Sequence, residues 1–354
     1  MKLAFVTASV DPAHPTLAFT RSWVRALQRE VPSLRVISRE GTPFEGEPAL
    51  DLRVAFPGGH RSEQTSLLRR AQWALFLRRE LRGCDAVLAH MVPRDALWAR
   101  RCLGASARIG LWYAHGSVGK GLGKALRACD RVFTPSERAF PMLATNLCAF
   151  GHGIDLQAFA SRPAAIAADD APILFAARLS ATKEPELALA GYRIWRERTR
   201  LAPRRLHFVG APLTKDDRAL AAKLEAAIGG DALVRAPRAA TWAEMPTLYG
   251  NAALLLAPSR TGSLDKNVLE AHACGVPAIV LAESGAAEHV AHVDPEGISA
   301  HATPEELATA IERLLALPPE EAARRAARRR ALVAAEHDLV ALARRITGEL
   351  AHGA

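Results

Sequence analysis

Short apolar runs alternate with longer helical stretches along the first half of the chain. Five of these runs predict buried strands: Leu3–Val10, Ser33–Ser38, Ala86–His90, Arg108–Ala114 and Arg131–Pro135. The stretches between them predict helices at Phe19–Arg29, Ser66–Arg82, Ala96–Cys102 and Gly123–Ala128. This β-α-β alternation is typical of a parallel sheet that carries helices on both faces.

The same alternation resumes after about residue 170. Strands are expected at Pro172–Ala176, Arg205–Val209, Leu233–Arg235, Ala253–Ala257 and Ala278–Leu281, and helices at Glu184–Thr199, Lys215–Ala227, Glu244–Tyr249, Lys266–Cys274 and Pro304–Leu317. We therefore expect an α/β chain of two doubly wound, Rossmann-like domains facing each other across a cleft. Ligands of such sheets bind at the carboxyl ends of the strands.

The stretch around 158–170 has no clear period and is rich in alanine, with Pro163 and an acidic pair, so it predicts a linker. The Ala/Arg-rich tail from Pro318 to Ala351 is helical by propensity. These features predict an N-terminal domain over 1–160 and a C-terminal domain over 161–335. A C-terminal helix over 336–354 is expected to cross back to the N-terminal domain.

Composition narrows the class of protein. The chain has 354 residues, of which 49% are apolar and 23% charged, which suits two globular domains and excludes a disordered chain. The apolar run at the N-terminus is too short to span a bilayer, and five scattered cysteines without a C-x-x-C pair suggest a reducing compartment. We expect a cytoplasmic protein, peripheral at the inner face of the membrane.

The positive charge is concentrated in the front half. Residues 1–165 hold 23 Lys and Arg against 13 Asp and Glu, whereas the remainder holds 23 against 24. Such asymmetry suggests an anionic partner for the front half, and an arginine-rich solvated surface is the alternative.

The richest motif is PSRTGSLDKNVLEAHACGVP, from Pro258 to Pro277. A buried strand ends, a polar turn with Gly262 and Ser263 follows, and a helix opens near Asp265; free N–H groups at such a helix start suit a phosphate. Glu270, about one turn further on, suits the vicinal hydroxyls of a ribose. The alternative is an ordinary β-α-β unit in which Ser263 or Asp265 only caps the helix.

A pair of cations follows the first strand of the second half. In AARLSATKEPELAL, Arg178 and Lys183 lie between the strand and the next helix. Placed at the carboxyl edge, the two would clamp a diphosphate, one as a planar fork and one as a point charge. The alternative is two exposed loop cations.

Together these segments resemble the GT-B retaining glycosyltransferases of family 4. AARLSATKEPELAL is similar to the family's G-R-L-x-x-x-K-G stretch, and Pro258–Pro277 to its P-S-x-x-E-G-F-G-x-x-x-x-E-A-M-A-C-G-x-P block. Further matches, in the same order as in the family, are FGHGIDLQAF (Phe150–Phe159), LHFVGAP (Leu206–Pro212) and ESGAAEHV (Glu283–Val290). The resemblance covers nearly the whole chain.

The resemblance implies roles for the matching positions. Arg178 and Lys183 would hold the donor diphosphate, and His115 in LWYAHGS would lie at the transferred sugar. In the cofactor-binding set, Glu270 would bind the ribose of the nucleotide, and Gly262, Ser263, Leu264 and Asp265 would contact phosphate or sugar. No bound metal or cofactor is expected beyond a UDP- or GDP-linked sugar as co-substrate.

One departure from the family pattern affects the donor. The first glutamate of the paired-glutamate motif should lie eight residues before Glu270, where this chain has Gly262. That glutamate usually contacts hydroxyls of the donor sugar, and Asp265 is the candidate to replace it.

The resemblance implies hexosyl transfer with retention to a saccharide or lipid-linked acceptor, in the synthesis of cell envelope polysaccharide. A nucleotide-sugar epimerase of the same architecture and a donor-binding, inactive homologue remain alternatives. A nucleic-acid-binding protein is disfavoured, because aromatic and basic residues are not interleaved as in the known modules.

Overall fold

The computed structural model describes residues 1–44, 49–57, 67–160, 170–202 and 204–351, which form two compact units. Unit 1 comprises the chain up to Gly153 together with the segment from Asp338 onward, and unit 2 comprises Ile154–His337. Most of the predicted linker around 158–170 lies outside the described residues. No described helix is long and apolar enough to cross a membrane.

Unit 1 is built on a parallel sheet of seven strands in the order β3-β2-β1-β4-β5-β6-β7. The strands are β1 (Lys2–Ser9), β2 (Ser33–Gly41), β3 (Asp51–Pro57), β4 (Ala86–His90), β5 (Arg108–Trp112), β6 (Arg131–Thr134) and β7 (Leu147–Ala149). Its helices are α1 (Thr20–Glu30), α2 (Leu67–Glu80), α3 (Pro93–Leu103), α4 (Leu122–Ala128) and α12 (Leu339–Ala351).

Both faces of this sheet are buried because successive side chains of a strand point to opposite sides. Along β1, Leu3 and Phe5 pack in a core with α1 and α12, whereas Ala4 and Val6 pack in a second core with α2, α3 and α4. The central strands, such as β4 and β5, are therefore mostly apolar and buried, as expected for a parallel sheet covered on both faces, whereas the edge strand β3 contains charged residues.

Unit 2 repeats the plan with six parallel strands in the order β10-β9-β8-β11-β12-β13. These are β8 (Ile173–Ala176), β9 (Leu206–Val209), β10 (Val234–Arg238), β11 (Leu254–Ala257), β12 (Ala278–Leu281) and β13 (Ile298–Ser299). The helices are α5 (Pro185–Arg198), α6 (Lys215–Ile228), α7 (Met245–Gly250), α8 (Lys266–Ala273), α9 (Ala287–Ala291), α10 (Pro304–Leu315) and α11 (Pro319–His337). Helices α5, α6 and α10 cover one face, and α7, α8, α9 and α11 cover the other.

The helical tail consists of two helices. It breaks after His337, where unit 2 ends, and α12 begins at Leu339 in unit 1. The break has a local cause, because the Asp338 carboxylate accepts hydrogen bonds from the N–H groups of Val340 (3.4 Å) and Ala341 (3.1 Å) and so starts a new helix.

Each sheet has a point at which the strand order reverses. In unit 1 it lies between β1 and β4, and in unit 2 between β8 and β11. The loops that leave two such neighbouring strands diverge and open a crevice at the carboxyl edge. The residues that follow β8 and β11 are therefore brought together, and they include the sequence-predicted phosphate site.

Candidate functional site

The turn between β11 and α8 is held by its own hydroxyl groups. Thr261 Oγ1 lies 2.8 Å from Ser259 Oγ and accepts a hydrogen bond from Ser263 Oγ at 3.2 Å. The backbone N–H groups of Ser263, Leu264 and Asp265 donate no hydrogen bond to any of the residues that the structure describes. Three unpaired donors at the start of a helix form a suitable site for phosphate or sugar oxygens.

Two glycines shape this turn in different ways. A Cβ on Gly285 would lie 2.3 Å from the carbonyl oxygen of Gly262, and the Gly285 N–H donates to the carbonyl of Thr261 (3.0 Å). Position 285 therefore needs glycine for close backbone contact. A Cβ on Gly262 itself would meet nothing within 4 Å, so this position has room for a side chain.

Asp265 occupies the N-cap position of α8, but its side chain makes no capping hydrogen bond to the helix. Its Oδ1 accepts a hydrogen bond from Lys183 Nζ at 2.7 Å, and Nζ also donates to Ser259 Oγ at 3.2 Å. Asp265 Oδ2 is buried and has no hydrogen-bond partner. A buried carboxylate oxygen without a donor is costly, which makes Oδ2 a natural acceptor for a ligand hydroxyl.

Lys183 reaches this position from a short 3₁₀ turn, Ala181–Lys183, after β8. The next residue, Glu184, has a φ of +50°, a conformation that non-glycine residues rarely adopt. Arg260 joins the two loops: its N–H donates to the carbonyl of Thr182 (3.0 Å), and its guanidinium pairs with Glu184 and Glu283. No motif in the sequence indicates this role of Arg260, because its partners are distant in the sequence.

Arg178 has a different support from Lys183. Its Nε lies 3.7 Å from Asp217 Oδ2, which also accepts from the N–H of Thr214 in the capping box of α6. The guanidinium remains about half exposed. The loop from β9 comes close to the exit of β8, since a Cβ on Gly210 would lie 1.8 Å from the carbonyl oxygen of Ala177. Arg178 and Lys183 thus both follow β8 in the sequence, but they contact different residues: Arg178 lies near Asp217, and Lys183 contacts Asp265 and Ser259.

Glu270 is buried in the second turn of α8, where it pairs with Lys266 at 3.1 Å. Burial, followed by the neighbouring charge and hydrogen bond of Glu270, raises the pKa of Tyr249 well above its usual value, so the phenol stays protonated.

Asn267 was not predicted as a site residue. Its amide donates to the carbonyl of Ala176 at 2.9 Å and so fastens the start of α8 to the end of β8.

Unit 1 contains a large cavity of about 1650 Å³ at the carboxyl edge of its sheet. Positive charge dominates its lining, with seven Lys or Arg side chains against two acids: Arg39, Arg69, Arg70, Arg94, Arg101, Lys124 and Arg127 against Glu40 and Asp95. Of these, Arg39 and Asp95 neutralise each other through a 2.6 Å ion pair. We call this space the basic cavity.

His115 also lines the basic cavity. Its ring meets the edge of Tyr113 at 5.5 Å between centroids, and the Tyr113 hydroxyl donates to the carbonyl of Ser117 (2.8 Å) and so shapes the loop. Surrounding protein lowers the pKa of His115 by desolvation, which favours the neutral imidazole. His90 also borders the basic cavity, but it is buried among the rings of Phe5 and Trp23.

Metal-ligand spacing occurs outside these sites. Within the described ranges, one group of His, Cys, Asp and Glu residues is spaced to hold a metal ion, namely His289, Glu336 and His337 in unit 2. None of the three was predicted as a site residue.

Comparison with known proteins fits this geometry. Residues 157–331 match the family of glycosyl transferases group 1. The structure is similar to HepE from Anabaena in complex with UDP and glucose (TM-score 0.77, 17% identity, 99% of this chain and 100% of that one). It is also similar to sucrose-phosphate synthase from Thermosynechococcus elongatus (0.75, 18%, 98% of each chain) and a glycosyltransferase from Rickettsia africae (0.73, 12%, 100% and 99%).

No curated protein sequence matches the chain. At identities this low the structural likeness concerns the fold, whereas the family match concerns the sequence of unit 2. The chain therefore has the GT-B fold of two parallel-sheet α/β domains, and its residues 157–331 match the glycosyl transferases group 1 family.

Proposed function

We propose that the protein is a retaining glycosyltransferase of family 4, which transfers a hexosyl group from a UDP- or GDP-linked sugar. The observation that carries the proposal is the cluster at the carboxyl edge of unit 2. There the Lys183–Asp265 pair lies beside three unpaired backbone N–H groups at the start of α8. HepE, which shares the fold, is known in complex with UDP and glucose.

In this proposal the cluster binds the donor diphosphate. The N–H groups of Ser263–Asp265 and the Lys183 ammonium contact phosphate oxygens, and Arg178 adds a planar fork. These groups stabilise the negative charge that grows on the diphosphate as the sugar leaves, which is where preorganised donors contribute most to the rate. Retention needs no protein nucleophile if the leaving phosphate assists the incoming hydroxyl.

The remaining site residues divide between nucleotide and sugar. Glu270 binds the ribose hydroxyls, and the protonated Tyr249 next to it helps to hold the Glu270 carboxylate in position. Gly262 leaves out the carboxylate that the family pattern places there, and Asp265 supplies a replacement through its unpaired Oδ2. His115 of unit 1, neutral at physiological pH, contacts the transferred sugar through its ring or backbone.

The acceptor is proposed to bind unit 1. The basic cavity suits an acceptor that carries phosphate or carboxylate groups, either an acidic saccharide or a lipid-linked one. Next to Arg69 and Arg70, helix α2 exposes three leucines to solvent: Leu67, Leu68 and Leu75. Arginines beside exposed leucines suit an anionic membrane surface, and we propose peripheral contact with the inner face during synthesis of cell envelope polysaccharide.

The direct test is turnover with a panel of UDP- and GDP-hexoses and a phosphate-bearing lipid extract as acceptor. Release of nucleoside diphosphate that depends on the acceptor, with the donor's anomeric configuration kept in the product, is expected. Conversion of one nucleotide sugar into its epimer without an acceptor would identify an epimerase. Tight donor binding without any product would identify an inactive homologue.

A further inference from the structure

Three histidines of unit 2 form a buried row that the proposed transfer reaction does not use. His272 lies on α8, His289 on α9, and His337 is the last residue of α11. The ring centroids of His272 and His289 are 5.1 Å apart, and those of His289 and His337 are 5.2 Å apart. All three side chains are more than nine-tenths buried.

A buried ion pair at one end of the row favours one tautomer of the neighbouring histidine. Arg329 and Asp294 are joined by two hydrogen bonds of 2.6 and 2.7 Å, and Asp294 Oδ2 lies 4.0 Å from His272 Nε2. Although His272 Nε2 makes no hydrogen bond at this distance, the negative charge of the carboxylate favours a proton there, and His272 Nδ1 is then an acceptor. His289 Nε2, at 3.1 Å, then donates to that nitrogen.

This tautomer leaves the lone pair of His289 on Nδ1, which is buried and has no hydrogen-bond partner. His289 belongs to the group with metal-ligand spacing: one ligand atom each from His289, Glu336 and His337 lie within 4.8 Å of one another. Because the other nitrogen of His289 is already hydrogen-bonded to His272, Nδ1 is the nitrogen that remains for a metal. His337 Nε2 is 3.7 Å from Glu336 Oε2. The second nitrogen of His289 is already hydrogen-bonded, as is usual for a histidine that binds a metal.

We propose that His289, Glu336 and His337 form a binding site for a divalent transition metal, with Zn²⁺ as the best fit. Two imidazoles and a carboxylate suit Zn²⁺ and disfavour Ca²⁺ and Mg²⁺, which prefer oxygen ligands. Tetrahedral zinc needs ligand atoms about 3.3 Å apart, given bonds of about 2.0–2.1 Å. The Glu336 side chain is half exposed and can swing inward to close this gap. Water would occupy the fourth position.

The site would fasten two elements of unit 2 that are distant in the sequence. His289 belongs to α9, whereas Glu336 and His337 end α11. The carbonyl of His337 accepts a hydrogen bond from the N–H of Ile154 at 2.8 Å. Since Ile154 is the first residue of unit 2 and His337 the last, this bond joins the two ends of the unit. A metal here would stabilise unit 2 at that junction, and this role is independent of the proposed transfer reaction.

The test is metal titration of the untagged full-length protein after treatment with EDTA. In competition with a chromophoric indicator, we expect one equivalent of Zn²⁺ to bind and the melting temperature to rise. His289→Gln should weaken Zn²⁺ binding at least about a hundredfold, and Glu336→Gln roughly tenfold or more. Glu320→Gln, an exposed carboxylate at the other end of α11, is the matched control and should bind like the wild type.

Co²⁺ substitution identifies the ligands. A tetrahedral or five-coordinate Co²⁺ spectrum without a sulfur-to-cobalt charge-transfer band supports nitrogen and oxygen ligands, whereas such a band would assign the metal to a cysteine and overturn the proposal. Binding that is unchanged in Glu336→Gln, a surface variant that should fold normally, would also overturn it, as would an absence of stoichiometric binding. Nucleotide affinity, measured in EDTA, reports separately on the proposed function.

Discussion

Lys183 and Asp265 are 82 positions apart in the sequence and 2.7 Å apart in the structure. Both side chains are mostly buried, so neither charge is well solvated. Asp265 and Ser259 hold the Lys183 ammonium in position before a diphosphate binds. The lysine side chain therefore loses less conformational entropy when the ligand binds.

Removing either of the two cations proposed to bind the diphosphate should reduce turnover. Arg178→Ala should leave stability unchanged, whereas Lys183→Ala should also lower the melting temperature, because the buried Asp265 carboxylate loses its counter-charge. For Lys183→Ala and for Arg178→Ala we expect kcat to fall about a hundredfold, equivalent to on the order of 3 kcal/mol of transition-state stabilisation. Steady-state kinetics with the best donor measures the effect. Lys215→Ala, which removes an exposed lysine of the same unit, is the control and should be neutral. A near-wild-type kcat in either variant would refute the assigned role.

Gly262→Glu should be tolerated and should alter the use of the donor sugar. The position is open, so a glutamate adds a carboxylate without a steric clash, where the family pattern places one. We expect a lower KM for donors and an unchanged melting temperature. Gly285→Ala is the contrasting variant, because its Cβ would clash with the carbonyl of Gly262, and it should lower the melting temperature. Unchanged donor selectivity in Gly262→Glu would mean that residue 262 does not contact the sugar.

At the scale of the element, the buried Arg329–Asp294 pair links α11 to the segment after α9. Replacing Arg329 with methionine leaves the buried Asp294 carboxylate without its two closest hydrogen bonds and with Arg325, 3.7 Å away, as its remaining counter-charge. Breaking such a buried pair typically costs about 3–5 kcal/mol. Arg328→Met alters the neighbouring, exposed arginine and should change stability little. Thermal unfolding of both variants measures how much the Arg329–Asp294 pair contributes to stability. Equal melting temperatures for the two variants would contradict a large contribution.

The β9–β10 edge of unit 2 should be sensitive to acid. Burial, followed by the charge of Arg235, lowers the pKa of His207 from 6.5 to about 4. Between these values the unfolded chain binds a proton that the native chain does not, so stability is complete above pH 6.5 and declines as the pH falls toward 4.

The corresponding variant is His207→Gln, which should make the melting temperature less dependent on pH between 6.5 and 4. His301→Gln is the control, since that side chain is 78% exposed and the same substitution there should leave the pH profile as it is. If the His207 variant kept the full slope, other groups would account for the acid sensitivity.

The central strands could be predicted from the sequence, whereas several edge strands could not. β4, β8, β11 and β12 are short apolar runs buried on both faces, which is the strongest strand signal that a sequence carries. β7 has three residues and β13 two, and both were missed because such short segments owe their conformation to one neighbouring strand. β3 alternates charged and apolar residues without a buried face, so it was missed as well.

The candidate site was predictable as a set of positions and not as a set of contacts. Motif spacing placed Arg178, Lys183 and Asp265 at the strand ends where the structure has them. It gave no means of knowing that Asp265 pairs with Lys183 instead of capping α8, or that Asn267 binds the carbonyl of Ala176. Such contacts depend on side-chain direction at the meeting point of two loops.

At the scale of the whole molecule, the excess of positive charge lies in the front part of the chain, and seven of its Lys and Arg side chains line the basic cavity. A field of this kind raises the rate of encounter with anionic partners and weakens as salt shortens the Debye length to about 8 Å and below. The proposed acceptor would use that field.

Binding to vesicles should therefore rise with the content of anionic lipid and fall with salt. Replacing Arg69 and Arg70, which line the basic cavity, with Gln should weaken co-sedimentation more than replacing Arg78 and Arg79, which lie at the far end of α2. Nucleotide affinity should stay the same in both double variants. If the protein ignored anionic vesicles at low salt, the front half would be only a solubilising surface.

The central claim is that unit 2 binds a nucleotide sugar at the carboxyl edge of its sheet, and a thermal-shift panel tests it most directly. The wild type is heated with UDP, GDP, ADP and their hexose conjugates, because a ligand of the native state raises the melting temperature by mass action. We predict a clear rise with UDP or GDP and with the matching sugar conjugate, a much smaller rise in Lys183→Ala, and an undiminished one in Lys215→Ala. No rise with any nucleotide, or an equal rise in Lys183→Ala, would contradict the account.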